Sequence, residues 1–229
     1  LMQAGGRLDL LASKDLTNKA GGVIAGKDVA LTALTGDVTN ERTVTSSQIA
    51  YGKDQVRNDY VDSAARVESA NDLNISAGRD INNIGGAFQG GRDVVLNAGR
   101  DVNIVSAQTT NSLDRGVNRN SSTTTQYSAS ISSGRDISVK AGGDLNVVAS
   151  HIDAKRDIKM DAVENATISS AANEEHFLYK SKKLTIQEDH ISQVKAEITA
   201  GGNVDLNAGK NLTMIASRIA AGDEAYLAA

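Results

Sequence analysis

Apolar and polar positions alternate in short bursts along this chain, and the bursts share one template. It runs Asp or Asn, then two apolar residues at alternate places, then Ala-Gly, then a second Asp or Asn followed by another apolar residue. Clear copies are Asp93-Val94-Val95-Leu96-Asn97-Ala98-Gly99-Arg100-Asp101-Val102, Asp136-Ile137-Ser138-Val139-Lys140-Ala141-Gly142-Gly143-Asp144-Leu145 and Asn203-Val204-Asp205-Leu206-Asn207-Ala208-Gly209-Lys210-Asn211-Leu212. Looser copies start at Arg7, Asp28, Asp72 and Asp157, and a truncated one at Glu224. A period of two places successive side chains on opposite faces, so each burst predicts a short strand. Start-to-start spacings of 21, 44, 21, 43, 21, 46 and 21 residues make this a repeat protein.

A 21-residue unit of short strands cannot enclose a core alone. Stacked units can, with like positions falling above one another at ~4.8 Å. The expected fold is all-β: a parallel β-helix, or solenoid, forming a single repeat domain over 1–229. Val, Leu, Ile and Ala point inward, while Asn74, Asn103, Asn146 and Asn207 point outward or lie at corners. Glycine-led corners fall at Gly26, Gly78, Gly91 and Gly134, with Gly99, Gly142 and Gly209 in the Ala-Gly steps. Beside them stand Asp28, Asp80, Asp93, Asp101, Asp136, Asp144 and Asn211. The glycines are expected to supply positive φ, and the Asp or Asn to bond local backbone.

The longer gaps hold 22 to 25 residues beyond one coil, near 43–70, 106–133 and 171–199. These segments lose the Ala-Gly step. They are either degenerate third coils or lateral β-hairpin arms, and the aromatic residues favour arms. Tyr51, Tyr60, Tyr127, Phe177 and Tyr179 all fall in them, leaving about eight coils with a narrow Val/Leu/Ala interior that has little room for rings. Thr123, Thr125, Tyr127, Ala129 and Ile131 share one face of the middle segment by parity.

Composition sharpens this picture. The chain has no Pro, where average usage of about 5% would give roughly eleven. Proline removes a ladder donor, and almost every strand of a stacked coil is central. The absence of Cys excludes disulfides and thiolate chemistry. No signal peptide or long apolar run is evident, and the chain reads as a segment of a longer exoprotein. Twenty-four basic against 28 acidic residues give no support for a nucleic-acid partner.

Candidate chemistry is sparse. The Asp spacing does not match tandem calcium-binding nonapeptides, and no metal or cofactor is expected. His151, His176 and His190 have no partners at ligand or triad spacing. His176 beside Glu174 and Glu175, and His190 beside Glu188 and Asp189, read as solvated charged clusters of the third segment. Asp153, Lys155, Arg156, Asp157 and Asp161 form the one dense cluster of the type that cleaves polysaccharides on β-helices. Asp157 is already a repeat corner and no Trp is present, so neither an enzyme nor a small-molecule substrate is expected.

The cadence Ala98-Gly99-Arg100-Asp101-Val102-Asn103-Ile104, with Ala77-Gly78-Arg79-Asp80-Ile81 and Ser133-Gly134-Arg135-Asp136-Ile137, resembles filamentous haemagglutinin repeats over essentially the whole chain. These repeats occur in two-partner secretion exoproteins and contact-dependent growth-inhibition toxins. The alternation of coils with Ser/Thr/Tyr-rich segments is most similar to the second haemagglutinin repeat block of the growth-inhibition toxins. The resemblance implies a right-handed coil, export through a dedicated outer-membrane transporter and a place on the bacterial cell surface. In the growth-inhibition branch it further implies passage of a C-terminal toxin across the target cell's outer membrane. A stalk or adhesin is the competing reading. Under either, Tyr51, Tyr60, Tyr127, Phe177 and Tyr179 are the candidate contacts with a membrane or surface receptor.

Overall fold

The computed structural model, which describes residues 1–229, places every copy of the template on one side of a parallel β-helix. Three parallel sheets run along the rod. The first has eight strands, from Met2–Gln3 to Arg218–Ala221. The second, which carries the template, has eight from Arg7–Ala12 to Ala225–Ala228. The third has seven, from Leu16–Asn18 to Asn211–Ile215. One coil visits them in order, as in Ala87–Gly90, Val94–Ala98 and Val102–Val105.

Like residues stack on like. On the second sheet Leu31, Ile75, Leu96, Val139, Met160 and Leu206 form one inward ladder, and Ala33, Ala77, Ala98, Ala141 and Ala162 another. These belong to a continuous core of 36 buried residues. Each fully buried Leu or Ile contributes about 1.5–3 kcal/mol, which is how five-residue strands hold together. The interior does accept one ring, contrary to the expectation from composition. Phe88 is fully buried between Val67 and Ile131 on the first sheet.

The corner glycines work differently from the sequence expectation. Gly26, Gly78, Gly91, Gly99, Gly134, Gly142 and Gly209 do not adopt positive φ. Their constraint is contact between coils. A Cβ on Gly134 would collide with the carbonyl oxygen of Gly91 one coil away, and one on Gly99 with that of Gly78. At each of these corners but Gly26, whose neighbours are less close, glycine is needed because the stacked backbones leave no room for a side chain. Positive φ occurs instead at another corner, between the third and first sheets, at Gly85 (φ 58), Ala149 (φ 47) and Ala216 (φ 46).

That corner alternates with something larger. On every second coil the chain leaves it as a β-hairpin: Val44–Tyr51 with Asp54–Val61, Ala107–Asp114 with Arg119–Tyr127, and Ala171–Lys180 with Thr185–Val194. The arms are shorter than the segments marked in the sequence. Arg66–Ser69, Ser130–Ser133 and Glu197–Ala200 are coil strands of the first sheet. The run from Thr123 to Ile131 is therefore not one face. It turns after Tyr127, and Ala129 and Ile131 enter the core.

Of the asparagines expected outside, Asn74 is exposed and Asn103, Asn146 and Asn207 are partly exposed. Three others lie inside. Asn18 donates to Asn40 and Asn40 to Asn83, each at 2.9 Å, while backbone carbonyls accept their remaining N–H groups. A buried amide ladder is tolerable when each group is paired. From the next coil onward Ile104, Val147 and Ile168 occupy the same column.

Candidate functional site

The corner acids are spent on the rod itself. The carboxylate of Asp80 accepts the backbone N–H of Asp101 at 3.1 Å, Asp101 that of Asp144 at 2.9 Å, and Asp144 that of Asn165 at 3.0 Å. A second column does the same, with Asp93 accepting from Asp136 and Asp136 from Asp157. Arginines cap the columns: Arg135 on Asp93 at 3.0 Å, Arg156 on Asp136 at 2.7 Å, Arg100 on Asp80 and Arg92 on Asp72. The Arg100 guanidinium, aided by the N–H of Asp101, holds the Asp80 carboxyl below its ordinary range. The glycines and acids together form a stacking device.

The polysaccharide-type cluster disperses in the same way. Asp153 pairs with Lys155, Arg156 with Asp136, and Asp157 accepts the N–H of Asn203 at 2.7 Å. Asp161 accepts from Asn207. No group of three or more His, Cys, Asp or Glu side chains is arranged to hold a metal ion.

The arms are different. A hairpin adds two strands at ~4.8 Å each, and two coils advance the rod by the same ~9.6 Å. Arms on alternate coils therefore meet edge to edge in one six-stranded antiparallel sheet beside the rod. The first and second arms pair over Gln55–Arg57 and Ser112–Asp114, and the second and third from Arg119–Thr124 to Glu174–Tyr179. Register runs across all six strands. One row reads Ile49, Val56, Leu113, Ser121, Phe177 and Glu188.

That register brings the five candidate aromatics together. Residues opposite one another across a ladder share a face. By this count Tyr51, Tyr60, Tyr127, Phe177 and Tyr179 all lie on the face of Ile49, Val56 and Leu113. None lies on the other, which carries Gln48, Arg57, Asp59, Ser122, His176 and Asp189. Tyr51 is 87% exposed and Tyr60 62%. Phe177 and Tyr127 are half-buried. Tyr127 lies against the rod, with the Arg42 guanidinium 5.2 Å from its ring centre.

Sequence reasoning missed the two polar seams that tie the arms together nearer the rod. The buried Asp59 side chain accepts the N–H of Thr110 at 2.7 Å and pairs with Arg57 at 3.0 Å. In return Asn111 accepts the N–H of Asp59 at 2.9 Å. Hydrogen bonding from Arg57, reinforced by Ser46 and the Thr110 amide, lowers the Asp59 pKa to about 2 against the opposing effect of burial. The other seam is Asn173 accepting the N–H of Gln126 at 2.7 Å. Nothing local distinguishes these polar residues from their neighbours, because their partners come from another arm.

His176 joins Asp189 at 2.7 Å, not the sequence-adjacent Glu175, with Glu174 at 3.4 Å on its other nitrogen. Hydrogen bonds to Asp189 first and Glu174 second raise its pKa. His190 stands opposite Glu175 and His151 lies on the rod, so the three histidines do not meet. A shallow trough of about 400 Å³ crosses the second and third arms over Ser112, Asn120, Ser122, His176, Gln187 and Asp189. No helix of the protein is long and apolar enough to cross a membrane, which leaves strands untested as spanning elements.

Comparison with known proteins agrees with this geometry. No curated protein and no solved structure matches the chain. A Hemagglutinin repeat family model matches residues 45–118, 114–189 and 179–229, and a second, Haemagglutinin repeat, matches residues 3–50. The first two matches of the former each start in one arm and run through two coils into the next, so the repeating unit in both is an arm plus two coils. Arms, coils and their shared period are thus accounted for together: the chain belongs to the haemagglutinin repeat family.

Proposed function

We propose that this chain is a non-enzymatic rod segment of a secreted bacterial surface exoprotein, exported by a two-partner-type outer-membrane transporter. Its arm sheet engages the outer membrane of a target cell and so helps a C-terminal toxin across it. The observation that carries this reading is the gathering of Tyr51, Tyr60, Tyr127, Phe177 and Tyr179 on one face of an exposed antiparallel sheet. A plain spacer has no use for such a face. Alternation of apolar and polar faces is how strands partition between lipid and water. The arm strands are eight to ten residues long, close to the ~9–11 that a tilted strand uses to cross a bilayer. Glu175, Glu188 and Arg119 share the aromatic face, which favours lying at the interface over insertion as an isolated sheet.

The structure supplies a clean test. Residues 42–65, 106–129 and 170–196 can each be replaced by the two-residue Gly85-Gly86 corner of an armless coil. The armless rod should keep its β-sheet circular dichroism and lose association with target outer membranes. Association that survives arm removal would defeat the proposal. A second reading, a stalk or adhesin that binds a surface receptor, is favoured by the trough between the second and third arms. Its hydroxyl, amide and carboxylate groups, set beside Leu113, Phe177 and Leu178, suit a polyhydroxylated ligand with an apolar face.

A further inference from the structure

The outer rim of the arm sheet differs in charge from the rest of the protein. It comprises the three hairpin ends, 51–54, 114–119 and 179–186. Within them Lys53, Arg115, Arg119, Lys180, Lys182 and Lys183 stand against only Asp54 and Asp114, in a chain of net charge −4. The acids are already engaged. Asp54 pairs with Arg115 at 3.4 Å, and Asp114 accepts the N–H of Gly116 at 2.8 Å. The other five rim cations have no ion-pair partner, whereas the arginines of the rod corners are matched to aspartates one coil away. The third hairpin end alone carries three of the six cations and no acid, and edge-to-edge pairing sets those of the first two ends beside it.

The same rim exposes apolar side chains. Val117 is 80% exposed at the turn of the second arm and Leu184 53% at the turn of the third. Tyr51 and Tyr179 flank them, with Ile186 behind. Aliphatic turn residues gain nothing from a purely polyanionic partner. Cations interleaved with Tyr and aliphatic groups suit a lipid–water boundary, where the apolar tips enter the acyl region and Lys or Arg meet headgroup phosphates.

From this juxtaposition we infer that the arm sheet docks end-on, through its basic and apolar rim, onto a membrane surface bearing anionic phosphate lipids. The inference rests on the arm sheet being the surface-contacting element, and adds which part touches and what it recognises. Charge complementarity sets the attraction and the apolar tips set the depth, so docking weakens with salt but persists in part.

The test is sedimentation of the full chain with phosphatidylethanolamine vesicles, with and without phosphatidylglycerol. Binding is expected only when phosphatidylglycerol is present. Changing Lys53, Lys182 and Lys183 together to Glu should reduce it at least tenfold, and V117S with L184S several-fold, with melting temperatures unchanged. The control triple K14E/K27E/K140E makes the same charge change at exposed, unpaired rod cations and should bind like the parent. Equal binding to neutral vesicles, or equal loss in the control, would overturn the inference. So would tighter binding to a short DNA duplex than to the vesicles. Loss of target-membrane association on arm removal, with rim variants still binding vesicles normally, would refute the rim alone. Association surviving arm removal would instead refute the broader functional reading.

Discussion

The rod and the arm sheet are both built of short strands, yet they are stabilised in opposite ways. Rod strands are parallel and bury one face in a continuous apolar core. Arm strands are antiparallel and form a single layer, and only Ala107, Thr109 and Asp59 among their residues are buried. A single-layer sheet of this kind has no core to hold it in water. It persists here because the rod anchors each hairpin at a fixed height, and two coil rises equal one hairpin width. The rod is ordered by burial and the arms by spacing.

The largest effect should come from breaking burial. Leu96→Ala empties a fully buried ladder position and should cost about 2–5 kcal/mol, read as a fall in the urea midpoint. A loss below about 1 kcal/mol would mean that the coils are not the stabilising part.

Stacking comes next. Gly134→Ala drives a methyl into the Gly91 carbonyl and should cost about 2–3 kcal/mol, toward the upper end for overpacking. Gly52→Ala at an arm turn meets no neighbouring atom and should cost only the roughly 1–2 kcal/mol of a left-handed backbone at its φ of 63. A loss at Gly134 no larger than at Gly52 would show that contact between coils does not select glycine.

The seam between the first two arms tests spacing against side-chain locking. Asp59→Asn leaves the geometry but removes the charge, and should cost about 1.5 kcal/mol, seen as faster exchange of the Thr110 amide with the rod amides unaffected. The pH dependence has a definite sign. A carboxyl lowered to about 2 stabilises fully above its unfolded pKa of about 3.9, and that contribution disappears as pH falls through 2. The seam between the first two arms should therefore loosen progressively below about pH 4, read as faster exchange of the Thr110 amide.

His176 gives a smaller effect of opposite sense. Its raised pKa means that its bonds to Asp189 and Glu174 stabilise the third arm below about pH 6.5 and fade as pH rises through the folded value. Amide protection along Ala171–Lys180 should decline as pH rises above the ordinary histidine value, and H176Q should remove that dependence. Least of all, Tyr51→Ser and Tyr60→Ser should change melting by about 0.5 kcal/mol or less, because both rings are exposed. If they weaken membrane or receptor binding at unchanged stability, the aromatic face is a contact surface. Lost stability alone would make it packing.

Much of the rod was legible because its information is local. Each template start marks a strand of the second sheet, from Arg7–Ala12 to the strand following Glu224, and the 21-residue interval is one coil. The alternation of short and long gaps marked which coils carry arms. The arm limits were overdrawn, since Ala129 and Ile131 continue the parity of Thr123 and Tyr127 although the chain has turned into the core between them. The aromatic residues were visible singly. Their common face was not, because it depends on pairings such as Leu113 with Val56 and Ser121 with Phe177 across more than fifty residues.

By itself the sequence determined the repeat, the strands and which residues could line a core, because period two and coil length are properties of the chain alone. The tertiary structure decided what glycine, asparagine and aspartate do there. Gly134 is glycine because another coil's carbonyl lies against it, Asn40 is inside because Asn18 and Asn83 pair with it, and Asp59 is a clasp because a second arm arrives beside it. Each role is set by the rise from one coil to the next, a distance that exists only once the coils have stacked.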